Sequence, residues 1–111
     1  MSEQPTVLER LVAVIRDRQA NPPARSYTTS LFAGGVEKIG AKIMEEAAEV
    51  VEAAAEPGPA GHAHLVHEAA DLIYHLLVLL RFGGVEWSEV ELEQARRFGV
   101  SGLDEKAART P

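Results

Sequence analysis

The run Glu68-Ala69-Ala70-Asp71-Leu72-Ile73-Tyr74-His75-Leu76-Leu77-Val78-Leu79-Leu80 decides how this chain folds. Stepped at 100° per residue, Leu72, Ile73, Tyr74, Leu76, Leu77, Val78, Leu79 and Leu80 spread around the whole helical wheel instead of lining one stripe. Such a helix must be covered from several directions. A single layer of short helices covers too little of it, so part of this surface is expected to meet a second copy of the chain. The expected architecture is therefore all-α: a bundle of about four to five helices, completed by oligomerisation, with a homodimer as the assembly.

Outward from that run, proline and glycine cut the sequence into further helices, and no stretch carries the β-branched alternation of a strand. Thr6 and Glu9 have capping-box spacing, which predicts a first helix from Val7 to about Arg18 with Leu8, Leu11, Val12 and Ile15 on one face. Asn21-Pro22-Pro23 ends it. A loop through Arg25-Ser26-Tyr27-Thr28 leads to a short helical turn around Leu31 and Phe32, then to Gly34-Gly35. The next helix is expected from near Val36 to Glu56, broken by Pro57-Gly58-Pro59 and Gly61, and the central helix from about His62 to Phe82. Ser88 and Glu91 repeat the capping-box spacing and predict a last helix toward Arg97, closed by Gly99. Residues 101–111 read as a short helix and a tail. The whole chain of 111 residues is one domain, 1–111, with 1–5 and 105–111 as loose ends.

Composition narrows the chemistry. Eleven Lys and Arg against 17 Asp and Glu leave a net charge of −6, which repels a polyanion, so nucleic acid is not an expected partner. The absence of cysteine removes disulfides, thiolate nucleophiles and Cys-type zinc sites. The longest aliphatic run, Leu76 to Leu80, is far shorter than the roughly 20 residues that cross a bilayer. The N-terminus has no secretory pattern. A cytoplasmic protein without a membrane span is the expectation.

The acids are the informative residues. Glu46 falls at the edge of the stripe formed by Ile39, Ile43, Ala47, Val50 and Ala54, which predicts partial burial. Glu45, Glu46 and Glu49 lie three and four residues apart as like-charged neighbours, a cost of about 0.2–0.5 kcal/mol per pair that a cation relieves. The central helix repeats the device with Glu68 and Asp71, and His75 extends the same side. Two antiparallel helices bring Glu46, Glu49, Glu68 and Asp71 to one level. Hard oxygen ligands suit Mg²⁺, or Mn²⁺, with phosphate oxygens filling its shell. Lys38 and Lys42 precede the acids by one and two turns and offset phosphate charge or pair with the acids. His62, His64 and His67 cluster beside the Pro/Gly turn and read as solvent-exposed. The alternative is that these acids form only a solvated helix face.

On Lys38 to Val50, with its Lys-flanked Glu-x-x-Glu, and on Glu68 to Leu80, with Tyr74-His75 after Glu-x-x-Asp, the chain closely resembles the phosphoribosyl-ATP pyrophosphatase family of the MazG-like superfamily. Ser26-Tyr27-Thr28 with Leu31-Phe32, and Ser101 to Ala107, extend the likeness to nearly the whole chain. The resemblance implies Mg²⁺-dependent hydrolysis of 1-(5-phosphoribosyl)-ATP to 1-(5-phosphoribosyl)-AMP and pyrophosphate. It implies Glu46, Glu49, Glu68 and Asp71 as metal ligands, Glu45 or Glu46 as the group acting on water, and Lys38, Lys42, Arg25, Ser26, Tyr27 and His75 at the nucleotide. A house-cleaning pyrophosphatase for other (deoxy)nucleoside triphosphates, and a non-catalytic helical dimerisation module, are the competing readings.

Overall fold

The computed structural model describes residues 4–98. Four helices follow one another: α1 (Val7–Ala20), α2 (Tyr27–Ala54), α3 (Gly58–Phe82) and α4 (Trp87–Arg96), with no strand among the described residues. The capping box that opens α1 forms as its spacing predicts: Glu9 N–H donates to Thr6 Oγ1 at 3.1 Å, and Thr6 N–H donates to Glu9 Oε1 at 2.8 Å. The short helical turn at Leu31-Phe32 and the long helix after Gly34-Gly35 run together as α2, bent at Gly35, whose φ of 68° and ψ of −161° are non-helical. That left-handed φ is available to glycine at little cost.

Three boundaries differ from the sequence expectation, the first at the start of α2: the expected loop through Thr28 stops at Ser26, whose side chain caps the helix, and Tyr27 and Thr28 are already helical. The central helix starts at Gly58, not His62. Pro59 sits in its first turn, where the missing N–H is no loss, and Gly61 continues the helix instead of breaking it. The last helix is opened by Glu86, whose N–H donates to Glu89 Oε2 at 2.8 Å, and not by Ser88 with Glu91. Arg16 and Arg81 hold the Glu86 carboxylate, so the cap is anchored to α1 and α3 as well. The expected closure at Gly99 and the segment 101–111 lie outside the described residues.

α2 and α3 are joined by a short turn and return against each other as a hairpin, and α1 packs across both. Ile15, Leu31, Ile39, Leu77 and Val78 form the core; Ile15 and Ile39 come from helix faces that the periodicity assigns inward. Leu8, Leu11, Val12, Phe32, Ile43, Tyr74, Leu79, Leu80 and Trp87 pack around them. By length and composition α3 matches a membrane-crossing helix, which the short aliphatic run did not suggest. Its Leu77 and Val78 instead lie in the core, and Glu68 and His75 are buried within the bundle.

The outer faces of the hairpin remain uncovered. Val36, Met44 and Val51 on α2 and Val66, Ile73, Leu76 and Phe82 on α3 are all exposed. The radius of gyration is 16.7 Å, where a compact chain of 100 residues has about 13 Å.

Candidate metal centre

The hairpin places the two acidic motifs opposite one another. Glu46 and Glu49 come from consecutive turns of α2 and Glu68 from α3, and one oxygen of each lies within 4.8 Å of the others. Glu46 and Glu68 are buried, at 6% and 8% exposure, deeper than edge-of-stripe positions suggest. Glu46 Oε2 and Glu68 Oε1 have no hydrogen-bond partner. Buried orphan acceptors of this kind cost free energy unless a cation or donor meets them. The arrangement therefore fits a hard divalent ion.

Asp71 stands beside this group. Its charge helps raise the Glu46 carboxyl, and its own cluster is with Glu68 and His67, whose Nε2 is 3.4 Å from Asp71 Oδ2. Glu68 thus belongs to both sets. Three carboxyls in one place change each other's proton affinity. Burial first, then the adjoining Glu68 and Glu49 carboxyls and the Asp71 charge, push Glu46 from 4.5 up to about 7. Glu49 is raised by the Glu68 carboxyl and by burial. At Glu68, burial also pushes upward but is outweighed by contacts with His64, Glu49 and Glu46, and the net shift is downward.

The flanking residues divide into those open to a ligand and those occupied by the fold. Lys42 Nζ is 2.7 Å from Glu45 Oε2 and 4.0 Å from Glu46 Oε1, so of the acids it was expected to pair with, its main partner is Glu45. Glu45 is half-exposed on this rim, outside the three-carboxylate cluster. Lys38 and Arg25 are exposed. The Ser26 hydroxyl caps α2 by accepting from Thr29 N–H at 3.2 Å.

His75, expected at the nucleotide, is buried at 4% exposure with both ring nitrogens engaged within the bundle. Nδ1 donates to the Asp71 carbonyl at 2.8 Å, which leaves Nε2 to accept from Tyr27 O–H at 2.8 Å. Thr28 Oγ1 bonds Tyr74 O–H in parallel, so two contacts tie the start of α2 to α3. Tyr27 is the member of this cluster with an exposed ring, and burial of its hydroxyl raises its pKa despite nearby Lys42.

The histidine reading also changes at one position. His64 is not simply solvated: its Nε2 is 2.9 Å from Glu68 Oε2, and its Nδ1 is 3.0 Å from both oxygens of Glu56. Hydrogen bonding to Glu56 and then Glu68 raises its pKa. The i, i+4 spacing of His64 and Glu68 was the available signal, while Glu56 joins only because the turn brings it back.

The sequence profile of the family described as "Phosphoribosyl-ATP pyrophosphohydrolase" matches residues 8–98, which contain every one of these side chains. A phosphoribosyl-ATP pyrophosphatase of Rhodopirellula baltica is 53% identical over 109 residues, covering 98% of this chain and 91% of the relative. The protein of that name from Paramagnetospirillum magneticum is 48% identical over 98% of this chain and 97% of its own length. That from Rhodospirillum rubrum is 50% identical over 95% and 87%. With a profile match across most of its length and relatives this similar from end to end, the chain belongs to the phosphoribosyl-ATP pyrophosphohydrolase family.

Proposed function

We propose that this protein hydrolyses the α–β phosphoanhydride of 1-(5-phosphoribosyl)-ATP, releasing pyrophosphate and 1-(5-phosphoribosyl)-AMP in histidine biosynthesis. The observation that carries the catalytic reading is the pair of buried, unpartnered oxygens on Glu46 and Glu68, with a Glu49 oxygen in the same cluster. These three acids and Asp71 are the proposed ligands of Mg²⁺, with Mn²⁺ as a substitute. Bound there, the ion polarises phosphate oxygens and neutralises charge developing on the leaving pyrophosphate.

The chain's own residues do the rest. Lys42, 4.0 Å from Glu46, borders the site on α2, and its ammonium group and that of Lys38, one turn before it, are proposed to meet phosphate oxygens. Arg25 and the exposed Tyr27 ring flank the nucleotide from the start of α2, with Ser26 fixing the helix end beneath them. One water proton must leave as the new P–O bond forms and the bridging P–O bond breaks. Glu46, within the carboxylate cluster, and Glu45, beside Lys42, are the two groups proposed to receive it.

The same reading makes the enzyme a cytoplasmic homodimer. The exposed apolar face of α2 and α3 and the extended radius of gyration support pairing through the hairpin. Pyrophosphate release from phosphoribosyl-ATP with Mg²⁺ tests the assignment, with Asp71→Asn expected to lose most turnover and keep its helical circular dichroism. Faster cleavage of dCTP or dUTP than of phosphoribosyl-ATP would overturn the substrate; unchanged turnover in Asp71→Asn would remove Asp71 from the ligand set.

A further inference from the structure

A chain of polar contacts runs behind Glu68. Gly61 packs so closely on the α2–α3 turn that a Cβ at that position would lie 2.2 Å from the Glu56 backbone oxygen. This close approach folds Glu56 back over the first turns of α3, where its two carboxylate oxygens meet His64 Nδ1 at 3.0 Å. The ring is thereby held with Nε2 toward α3's next turn, 2.9 Å from Glu68 Oε2. The two oxygens of Glu68 are not equivalent as a result. Oε2 is tethered, and Oε1 is left buried and unpartnered, on a carboxylate that clusters with Glu46 and Glu49.

Building on the divalent-ion reading of the acids, we propose that His64, clamped by Glu56, is a positioning residue that holds Glu68 Oε2 and thereby presents Glu68 Oε1 to the ion. A carboxylate with one oxygen fixed loses less freedom on coordinating, and partners of this kind around metal ligands set affinity by about 10–100-fold. The turn between the two helices thereby becomes part of the ion site, although none of its residues touches the ion. A half-exposed His–carboxylate pair that is merely a surface contact contributes little and leaves ion affinity alone.

The test is Mn²⁺ affinity of the full chain, read by the loss of the free Mn²⁺ paramagnetic resonance signal, without nucleotide. His64→Leu removes the tether and is expected to weaken Mn²⁺ binding by about 10–100-fold. His64→Gln retains an N–H donor and is expected to recover most of that loss. Glu56→Ala, at the solvent side of the clamp, loses affinity in the same direction by a smaller factor. It carries the test alone if the Leu variant does not give a native circular dichroism spectrum. Wild-type affinity in His64→Leu, equal loss in the Leu and Gln variants, or no change in Glu56→Ala where that variant stands alone, overturns the proposal. Glu68→Gln separates the two levels: if it binds Mn²⁺ as the wild type does, the ion-site reading itself fails, whereas loss there with none in His64→Leu removes only the role of His64.

Discussion

Replacing Glu46 by glutamine isolates the electrostatic cost of the metal-free site. The Glu46 carboxyl is buried, has one oxygen without a partner, and titrates at about 7 where an ordinary glutamate does so at 4.5. Between those values the native state binds more protons than the unfolded chain, so stability falls as pH rises through the window and levels off above it. At about 1.4 kcal/mol per pH unit the shift corresponds to a ceiling of about 3 kcal/mol. Protons shared with Glu49 and Glu68 reduce it, and an effect of about 1–3 kcal/mol is expected. Glutamine keeps the shape, carries no charge, and can donate to the neighbouring carboxylates. In chelator-treated protein, Glu46→Gln should therefore be more stable than the wild type at pH 8, and the advantage should disappear at pH 5. For a domain of this size each kcal/mol moves the midpoint by about 4–8 °C, so thermal melts at both pH values resolve it. Mg²⁺ at about 100 times its Kd should then stabilise the wild type by about 2.7 kcal/mol and the variant much less. Parallel pH profiles for the two proteins, or equal stabilisation of both by Mg²⁺, would refute the reasoning.

Three further outcomes are expected. Ile39→Ala empties a fully buried core position and should cost about 2–5 kcal/mol in denaturant unfolding. Gly35→Ala forces a side chain into a φ of 68° and ψ of −161°, a region essentially restricted to glycine, and should lower stability by about 1–3 kcal/mol; a gain in melting temperature would show that the bend relaxes. Met44→Glu combined with Ile73→Glu charges the exposed hairpin face; sedimentation should show the unmodified protein as the proposed dimer and this variant as a monomer at the same concentration.

Much of this fold is legible in the sequence because its signals are local. The capping box at Thr6 and the change of direction at Gly34-Gly35 each report on residues within a few turns, and each corresponds to what forms, the second as a bend within α2. Pro59 and Gly61 mislead for a different reason. A proline is as good an opener of a helix as a terminator, and only the direction of the chain at Glu56 decides between the two. The start of α4 turns likewise on Arg16 and Arg81, which reach Glu86 from other helices. In the site, Glu46, Glu49 and Glu68 are readable as a set because their spacing puts each on the facing side of its helix. The surroundings of His75 and His64 are not readable in this way: the first is enclosed by Tyr27 and Asp71, the second recruited by Glu56. Both depend on contacts across the hairpin, which one-dimensional spacing does not contain.

The four proposed ligands all belong to one hairpin, with a single short turn between the two that come from α2 and the two from α3. Their alignment is consequently a matter of phase. Adding or deleting one residue between Glu46 and Glu49, or between Glu68 and Asp71, would rotate one acid of that pair by about 100° relative to the other, scattering the quartet while leaving the helix itself intact. What keeps the centre in register is thus the three-residue step inside each helix, and the turn has only to bring the two steps to the same height.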